Sequence, residues 1–255
     1  MDPRVAFVTG GASGLGRSIA GRLATDDFHV VIADISDADS ASVVDEMHST
    51  GGAGEWVHCD VGDIDSVRVA AEQITGTHGG VDLLVNNAGF DIPGFFLESD
   101  PRDWDSIVKV VMMGTLNCTF VLAPSIAERC RASGYGRIVN IASDAGRVGS
   151  MGEAAYSAAK GGVIAFSKSM ARELARDRVT VNSVCPGPAE TPMTDRIRQA
   201  PLGAKLMTQM EQVTPLKRLA TPAEVAAIVS YFASDDAAFT TGQTVSISGG
   251  LSMHG

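Results

Sequence analysis

The sequence predicts one α/β domain built on a doubly wound parallel sheet of about seven strands, with helices on both faces. Short, β-branched apolar runs alternate with amphipathic stretches along the chain, which is the pattern of βαβ units. The strands are apolar at successive positions, as in Phe28-His29-Val30-Val31-Ile32, which suits a sheet covered on both sides. A length of 255 residues with 45% hydrophobic and 20% charged residues fits one sizeable core over 1–255.

Taken in order, a strand at 4–9 is followed by a helix at 15–24, a strand at 29–33 by a helix at 40–49, and a strand at 55–59 by a helix at 64–75. The alternation continues with a strand at 81–85, a long helical stretch from about 104 to 131, a strand at 137–141, a helix from about 155 to 176 and a strand at 179–184. The pattern then changes. Residues 188–221 are rich in Pro and Met, with one short helical stretch near 205–212, and read as a substrate lid, because long excursions in compact domains are usually functional. Thr221 as N-cap, Pro222 at the first position and Glu224 in the first turn begin a helix over 222–233. A strand at 244–248 closes the sheet.

Composition excludes several classes. A net charge of -10 argues against a nucleic-acid partner, which needs excess Lys and Arg on one face. Apolar runs such as 5–8 and 81–85 are strand-sized, far short of the roughly 20 residues that cross a bilayer, so no membrane partner is expected. The start, Met-Asp-Pro-Arg, enters a strand without an apolar signal region, which predicts a cytoplasmic protein. Cys59, Cys118, Cys130 and Cys185 lie far apart with no C-x-x-C pair, so neither a metal site nor a disulfide framework is expected; they read as small core residues.

Between the first strand and helix runs Thr9-Gly10-Gly11-Ala12-Ser13-Gly14-Leu15-Gly16. Backbone N–H groups and a helix N-terminus there can hold a pyrophosphate, with Gly10, Ser13, Gly14, Leu15 and Gly16 as contacts. By itself the cluster fits a plain strand-to-helix turn equally well. Twenty residues after Gly14, Asp34 ends the second strand, where a carboxylate accepts hydrogen bonds from an adenosine ribose and repels a 2′-phosphate. Ile35 follows instead of a cation, so NAD is the expected cofactor, with Arg17 as the one residue that could favour NADP. Asp60-Val61 and Asn86-Asn87-Ala88-Gly89 end the third and fourth strands, where ligands of open α/β sheets bind. Either could alone be an Asx turn. Tyr156 and Lys160 share one face of a helix start, and Ser143 brings a hydroxyl to the end of the fifth strand.

The glycine turn, Asn86 to Gly89, Ser143, Tyr156-x-x-x-Lys160, and Pro186-Gly187 with Thr191 resemble, in order and spacing, the motifs of short-chain dehydrogenases/reductases. The resemblance spans nearly the whole chain. It implies a Rossmann-like domain of seven parallel strands that forms homotetramers. It also implies that Ser143 binds the substrate oxygen, Tyr156 is the acid or base, and Lys160 serves both the tyrosine and the nicotinamide ribose. A tyrosine hydroxyl titrates near pH 10, roughly three units too high for a base at neutral pH. A nearby ammonium and a cationic nicotinamide ring favour phenolate, so Lys160 is expected to bring Tyr156 into range. One position departs from the family: Val111 stands where members carry an Asn that supports a water-linked proton relay. Pro188 has no N–H to offer a carboxamide, which leaves Thr191 as the preferred nicotinamide contact in that loop.

Residues 138–153, 87–92, 185–188 and 248–253 are similar to those of 2-hydroxycyclohexanecarboxyl-CoA dehydrogenases, which implies a β-hydroxyacyl-CoA substrate. Arg147, with Arg196, Arg198, Lys205, Lys217 and Arg218, could then meet CoA phosphates, or could be solvated surface charge. Met193, Leu202, Leu206, Met207 and Met210 would suit an apolar acyl or ring substrate, or simply pack the lid. The rival readings are a 3-oxoacyl carrier-protein reductase, whose usual NADPH Asp34 disfavours, a general alcohol or steroid dehydrogenase, and a silent subunit of a hetero-oligomer, to which only Val111 points.

Overall fold

Seven strands form the sheet of the computed structural model, which describes residues 3–199 and 203–253: β1 (Val5–Thr9), β2 (His29–Asp34), β3 (Ala53–His58), β4 (Leu83–Asn86), β5 (Arg137–Ile141), β6 (Thr180–Pro186) and β7 (Thr244–Ile247). All pairs are parallel, in the order β3-β2-β1-β4-β5-β6-β7. The chain starts centrally, winds to the β3 edge, then returns to β4 on the other side of β1. That reversal opens a crevice at the carboxyl ends of β1 and β4, where such sheets bind ligands.

The helices are α1 (Gly14–Thr25), α2 (Asp37–Ser49), α3 (Ile64–His78), α4 (Pro101–Val108), α5 (Gly114–Ser133), α6 (Ala145–Val148), α7 (Ala154–Glu173), α8 (Pro192–Gln199), α9 (Gly203–Val213) and α10 (Pro222–Ala233). Alternate strand residues feed two cores, as the period of two requires. Val8, Val30, Ile32 and Val85 pack with Ile19 and Leu23 of α1 and Val229 and Phe232 of α10. Phe7, Val31, Leu84 and Ile138 pack with Ile74 of α3 and Leu122 and Ile126 of α5. Each such side chain, fully buried, contributes about 1.5–3 kcal/mol. The capping box at α10 forms as its sequence predicts: the Thr221 hydroxyl accepts from the Glu224 N–H and the Glu224 carboxylate accepts from the Thr221 N–H.

Two segments differ from expectation. The stretch predicted as one helix is α4 and α5 joined by a π-helical turn, Lys109–Met113, with Val111 fully buried within it. The resulting continuous helix, Pro101–Ser133, is long and apolar enough by composition to cross a membrane, contrary to the sequence expectation. In the fold its apolar residues serve the second core instead, with Cys118, Ile126 and Cys130 at 0% exposure. The 188–221 segment carries two helices, α8 and α9, where periodicity suggested one. α8 escaped notice because it is mostly polar. Leu202, expected to serve the lid, lies outside the described residues. The segment's two ends are tied together: Ala220 donates to the Pro188 carbonyl and Glu190 to the Ala220 carbonyl. The four cysteines are free and buried, as expected, and burial pushes the Cys59 and Cys185 thiols up to about 12.

Candidate active site

The turn between β1 and α1 is shaped by glycine. Gly10 and Gly14 have φ of 62° and 53°, in the region L side chains avoid. A Cβ on Gly16 would stand 2.0 Å from the Gly10 carbonyl oxygen, so the first turn of α1 closes on the loop only without one. Ser13, the N-cap, makes no side-chain cap, and the first turn holds no acidic residue. Exposed helix N–H groups around Ser13, Gly14 and Leu15 are therefore open to an anion, and the turn fits a dinucleotide's pyrophosphate.

Asp34 sits beside this turn. One carboxylate oxygen accepts from the Ala12 N–H at 3.0 Å and the other from the Ser36 N–H at 3.1 Å. It thus braces the turn while standing at the cofactor end of β2. Ile35, next to it, is 67% exposed, and Arg17 is engaged by Glu46. Asn87 proves to be a brace: its amide donates to the carbonyls of Thr9 and Gly10, both at 3.0 Å. The Thr9 hydroxyl oxygen accepts from the N–H groups of Asn87 and Ala88, pinning β4's end to the glycine turn. A Cβ on Gly89 would lie 3.6 Å from Lys160 Nζ, so the Asn87-Ala88-Gly89 strand end connects the turn to Lys160. The Asp60 carboxylate closes a local turn by accepting from the Gly62 N–H at 2.8 Å, and the Val61 carbonyl accepts from Asn117.

Ser143, Tyr156 and Lys160 come together at the carboxyl end of β5. Lys160 is buried and donates to the Ile141 carbonyl at 2.6 Å; its Nζ stands 5.6 Å from the Tyr156 ring centre. Burial lowers its pKa to about 8. The Tyr156 phenol is raised above its usual range by burial first, then by Glu153 and Asp91, while a hydrogen bond with Ser143 opposes the rise. With the Lys160 amine engaged by the Ile141 carbonyl, the chain's own groups favour the protonated phenol; the expected lowering rests on Lys160 together with a bound cationic nicotinamide. Asp91 is itself raised to about 7 by burial and the adjoining Glu153.

Sequence reasoning missed three residues here. A Cβ on Gly146 would lie 2.7 Å from the Lys160 carbonyl carbon, so this glycine lets α6 rest on α7 and sets Ser143 against Tyr156. Buried Asp144 accepts from the Ser246 and Ser252 hydroxyls, anchoring the same loop to the C-terminal strand. Thr194 donates to the Ala189 carbonyl and accepts from the Thr191 N–H. No local motif announces any of them, since each acts on a chain segment distant in sequence or on a loop's own backbone. At Val111 the backbone carbonyl accepts from the Thr115 hydroxyl, and the side chain packs with Ile107, Ala159 and Tyr156, so no amide faces the site.

The substrate-side predictions divide. Thr191 and Pro192 lie within 3.8 Å of the position a Gly14 Cβ would take, which brings the 188–221 segment to the glycine turn. Pro186-Gly187 pairs with the end of β7, the Gly187 N–H donating to the Ile247 carbonyl. Met193 is 37% exposed on α8. Arg147 is held within the chain, its guanidinium donating to the Thr244 carbonyl and the Ser246 hydroxyl. Arg198 pairs with Asp195 and Glu211, Arg218 with Glu224, and Lys217 with the Gln212 carbonyl.

A switch-point crevice with a glycine turn, and a hydroxyl, phenol and amine at its floor, define a dinucleotide-dependent oxidoreductase. The chain belongs to the short-chain dehydrogenase/reductase family; the matching family profile, described as enoyl-(acyl carrier protein) reductase, covers residues 10–252. It is similar to an uncharacterized oxidoreductase of Bacillus subtilis, 35% identical over 98% of this chain and 92% of the relative. A 3-oxoacyl-[acyl-carrier-protein] reductase of Staphylococcus aureus is 36% identical over 97% and 98%. Among solved structures, a variant actinorhodin polyketide ketoreductase with NADPH superposes with a TM-score of 0.92 at 33% identity, over 98% of this chain and 97% of that one. The protein is an enzyme acting on a carbonyl or hydroxyl group of a small molecule, with a nicotinamide cofactor.

Proposed function

We propose that the enzyme interconverts a β-hydroxyacyl thioester and its β-oxo partner with NAD, the carrier being CoA and the acyl group of the 2-hydroxycyclohexanecarboxyl kind. The convergence of Ser143, Tyr156 and Lys160 at the end of β5 carries the reading. The nicotinamide, when bound, supplies or accepts the hydride. In the reductive direction the Ser143 hydroxyl donates to the substrate oxygen as charge develops there, and the Tyr156 phenol, kept protonated, delivers the proton. Lys160 holds the floor of the site through the Ile141 carbonyl and lies where a nicotinamide ribose would meet it. Asp34, exposed Ile35 and an Arg17 already bound to Glu46 support NAD over NADP. The 188–221 segment, hinged where Ala189 meets Ala220, acts as the lid, with exposed Met193 offering apolar contact. Exposed Phe120 and Phe239 support assembly into a homotetramer.

A second reading, reduction of a 3-oxoacyl group on acyl carrier protein, is favoured by the Staphylococcus aureus relative and by the engagement of Arg147, Arg198, Lys217 and Arg218 within the chain. One assay separates the two. NADH and NADPH consumption is followed with 2-oxocyclohexanecarboxyl-CoA, acetoacetyl-CoA, acetoacetyl carrier protein and a simple ketone. Turnover of the CoA esters with NADH is expected, with a loss of ~10²-fold or more in Tyr156→Phe. Turnover only on the carrier protein transfers the assignment to the second reading; an unimpaired Tyr156→Phe removes the proposed acid.

A further inference from the structure

The edge of the sheet opposite the catalytic crevice carries a cluster that the oxidoreductase chemistry does not use. His29 opens β2, Glu55 lies on β3, and His78 ends α3, which covers the same face. In the β2–β3 register Glu55 pairs with Val31, two residues along from His29, so Glu55 and His29 project from one face as diagonal neighbours. The His29 and His78 Nε2 atoms both meet one oxygen of Glu55, His29 at 3.1 Å. The two rings are 4.4 Å apart between centroids, and the three ligand atoms all lie within 4.8 Å of one another.

We propose that His29, Glu55 and His78 form a binding site for a zinc-class divalent cation. Two imidazole nitrogens and a carboxylate are a donor set suited to borderline transition ions, whereas magnesium and calcium take mainly oxygens. With bonds of about 2.0–2.2 Å to each donor at near-tetrahedral angles, a central ion needs the Glu55 oxygen to draw back slightly from the two imidazole nitrogens it now meets, a side-chain adjustment that leaves the backbone in place. The side chains are 20%, 32% and 21% exposed, which leaves an entry path and room for water as a fourth ligand. The Arg129 guanidinium donates to the His78 carbonyl and is ion-paired to Asp82, so its charge is offset. The ion would clamp β2, β3 and the end of α3 together. His29 and Asp34 stand at opposite ends of β2, about 16 Å apart at the usual strand rise, so the clamp is independent of the catalytic chemistry.

Zinc titration of the full-length protein with NAD present, against a chromogenic chelator, tests this. One zinc per chain is expected. At a zinc concentration 100 times its Kd, the melting temperature should rise by roughly 5 °C or more. His78→Gln and Glu55→Gln should each weaken binding at least ~10-fold, while His58→Gln, which alters the exposed His58–Asp37 pair, should not. Cobalt(II) should give the intense visible bands of a four-coordinate site in the parent and lose them in His78→Gln. NAD binding and circular dichroism confirm that each variant is folded. Less than one zinc per chain, or stoichiometric binding that survives both ligand variants, overturns the proposal.

Discussion

Replacing Gly146 by Ala tests how the fold sets Ser143 against Tyr156. The added Cβ would lie 2.7 Å from the Lys160 carbonyl carbon and 2.8 Å from the Gly161 nitrogen, against 3.4–4 Å for ordinary contact. Both opposing atoms are helix backbone and cannot swing aside, so α6 must retreat from α7 by about 0.7 Å, the difference between contact and clash. Ser143 rides on the retreating loop while Tyr156 and Lys160 stay on α7. Overpacking of this kind costs about 1–3 kcal/mol, which for a domain of this size is roughly 3–10 °C in Tm. A misplacement approaching 1 Å lowers turnover by up to ~10²-fold, so kcat should fall by about 10- to 100-fold. The Kd for NADH should hold, because the glycine turn belongs to β1 and α1. Gly149→Ala is the control: its φ is 76° but nothing lies within 4 Å of the new Cβ, so it should lose stability and keep kcat. If Gly146→Ala retains kcat within twofold and melts with the parent, the α6–α7 contact does not position Ser143.

Two further substitutions probe charges around the crevice. Asp34→Ala should weaken NAD more than NADP, measured as the ratio of their KM values, and should also lower Tm because the Ala12 and Ser36 N–H groups lose their acceptor; an unchanged ratio removes the ribose contact. Asp91, raised from 3.8 to about 7 in the folded chain, is stabilising when protonated, so its contribution is intact below about pH 4 and lost as pH climbs through 7. Asp91→Asn should therefore melt above the parent at pH 8, with the gap narrowing towards pH 4.5; a gap independent of pH contradicts the buried carboxyl.

Much of this enzyme can be read from local pattern. The seven strands, the glycine turn, the α10 cap and the Ser143, Tyr156 and Lys160 trio lie within a few residues of their predicted places, because alternation, capping and i, i+4 spacing are short-range properties. The π-helical turn around Val111 was not legible, since the residues 109–113 that form it are ordinary helix formers and β-branched apolar residues alike. Nor was α8, whose Thr191 and Thr194 hydroxyls start a polar helix without an apolar stripe.

What the chain could say by itself was which segments form strands and helices and which residues carry reactive groups. Only the folded molecule showed that Arg147 is spent on Thr244 and Ser246, that Asn87 braces the glycine turn, and that His29, Glu55 and His78 meet. It also showed the Tyr156 phenol raised by burial and by carboxylates from two separate loops. The physical reason is common to all four. A side chain's partners and its dielectric surroundings come from segments tens of residues away, and those distances exist only after the sheet has paired and the helices have packed on it.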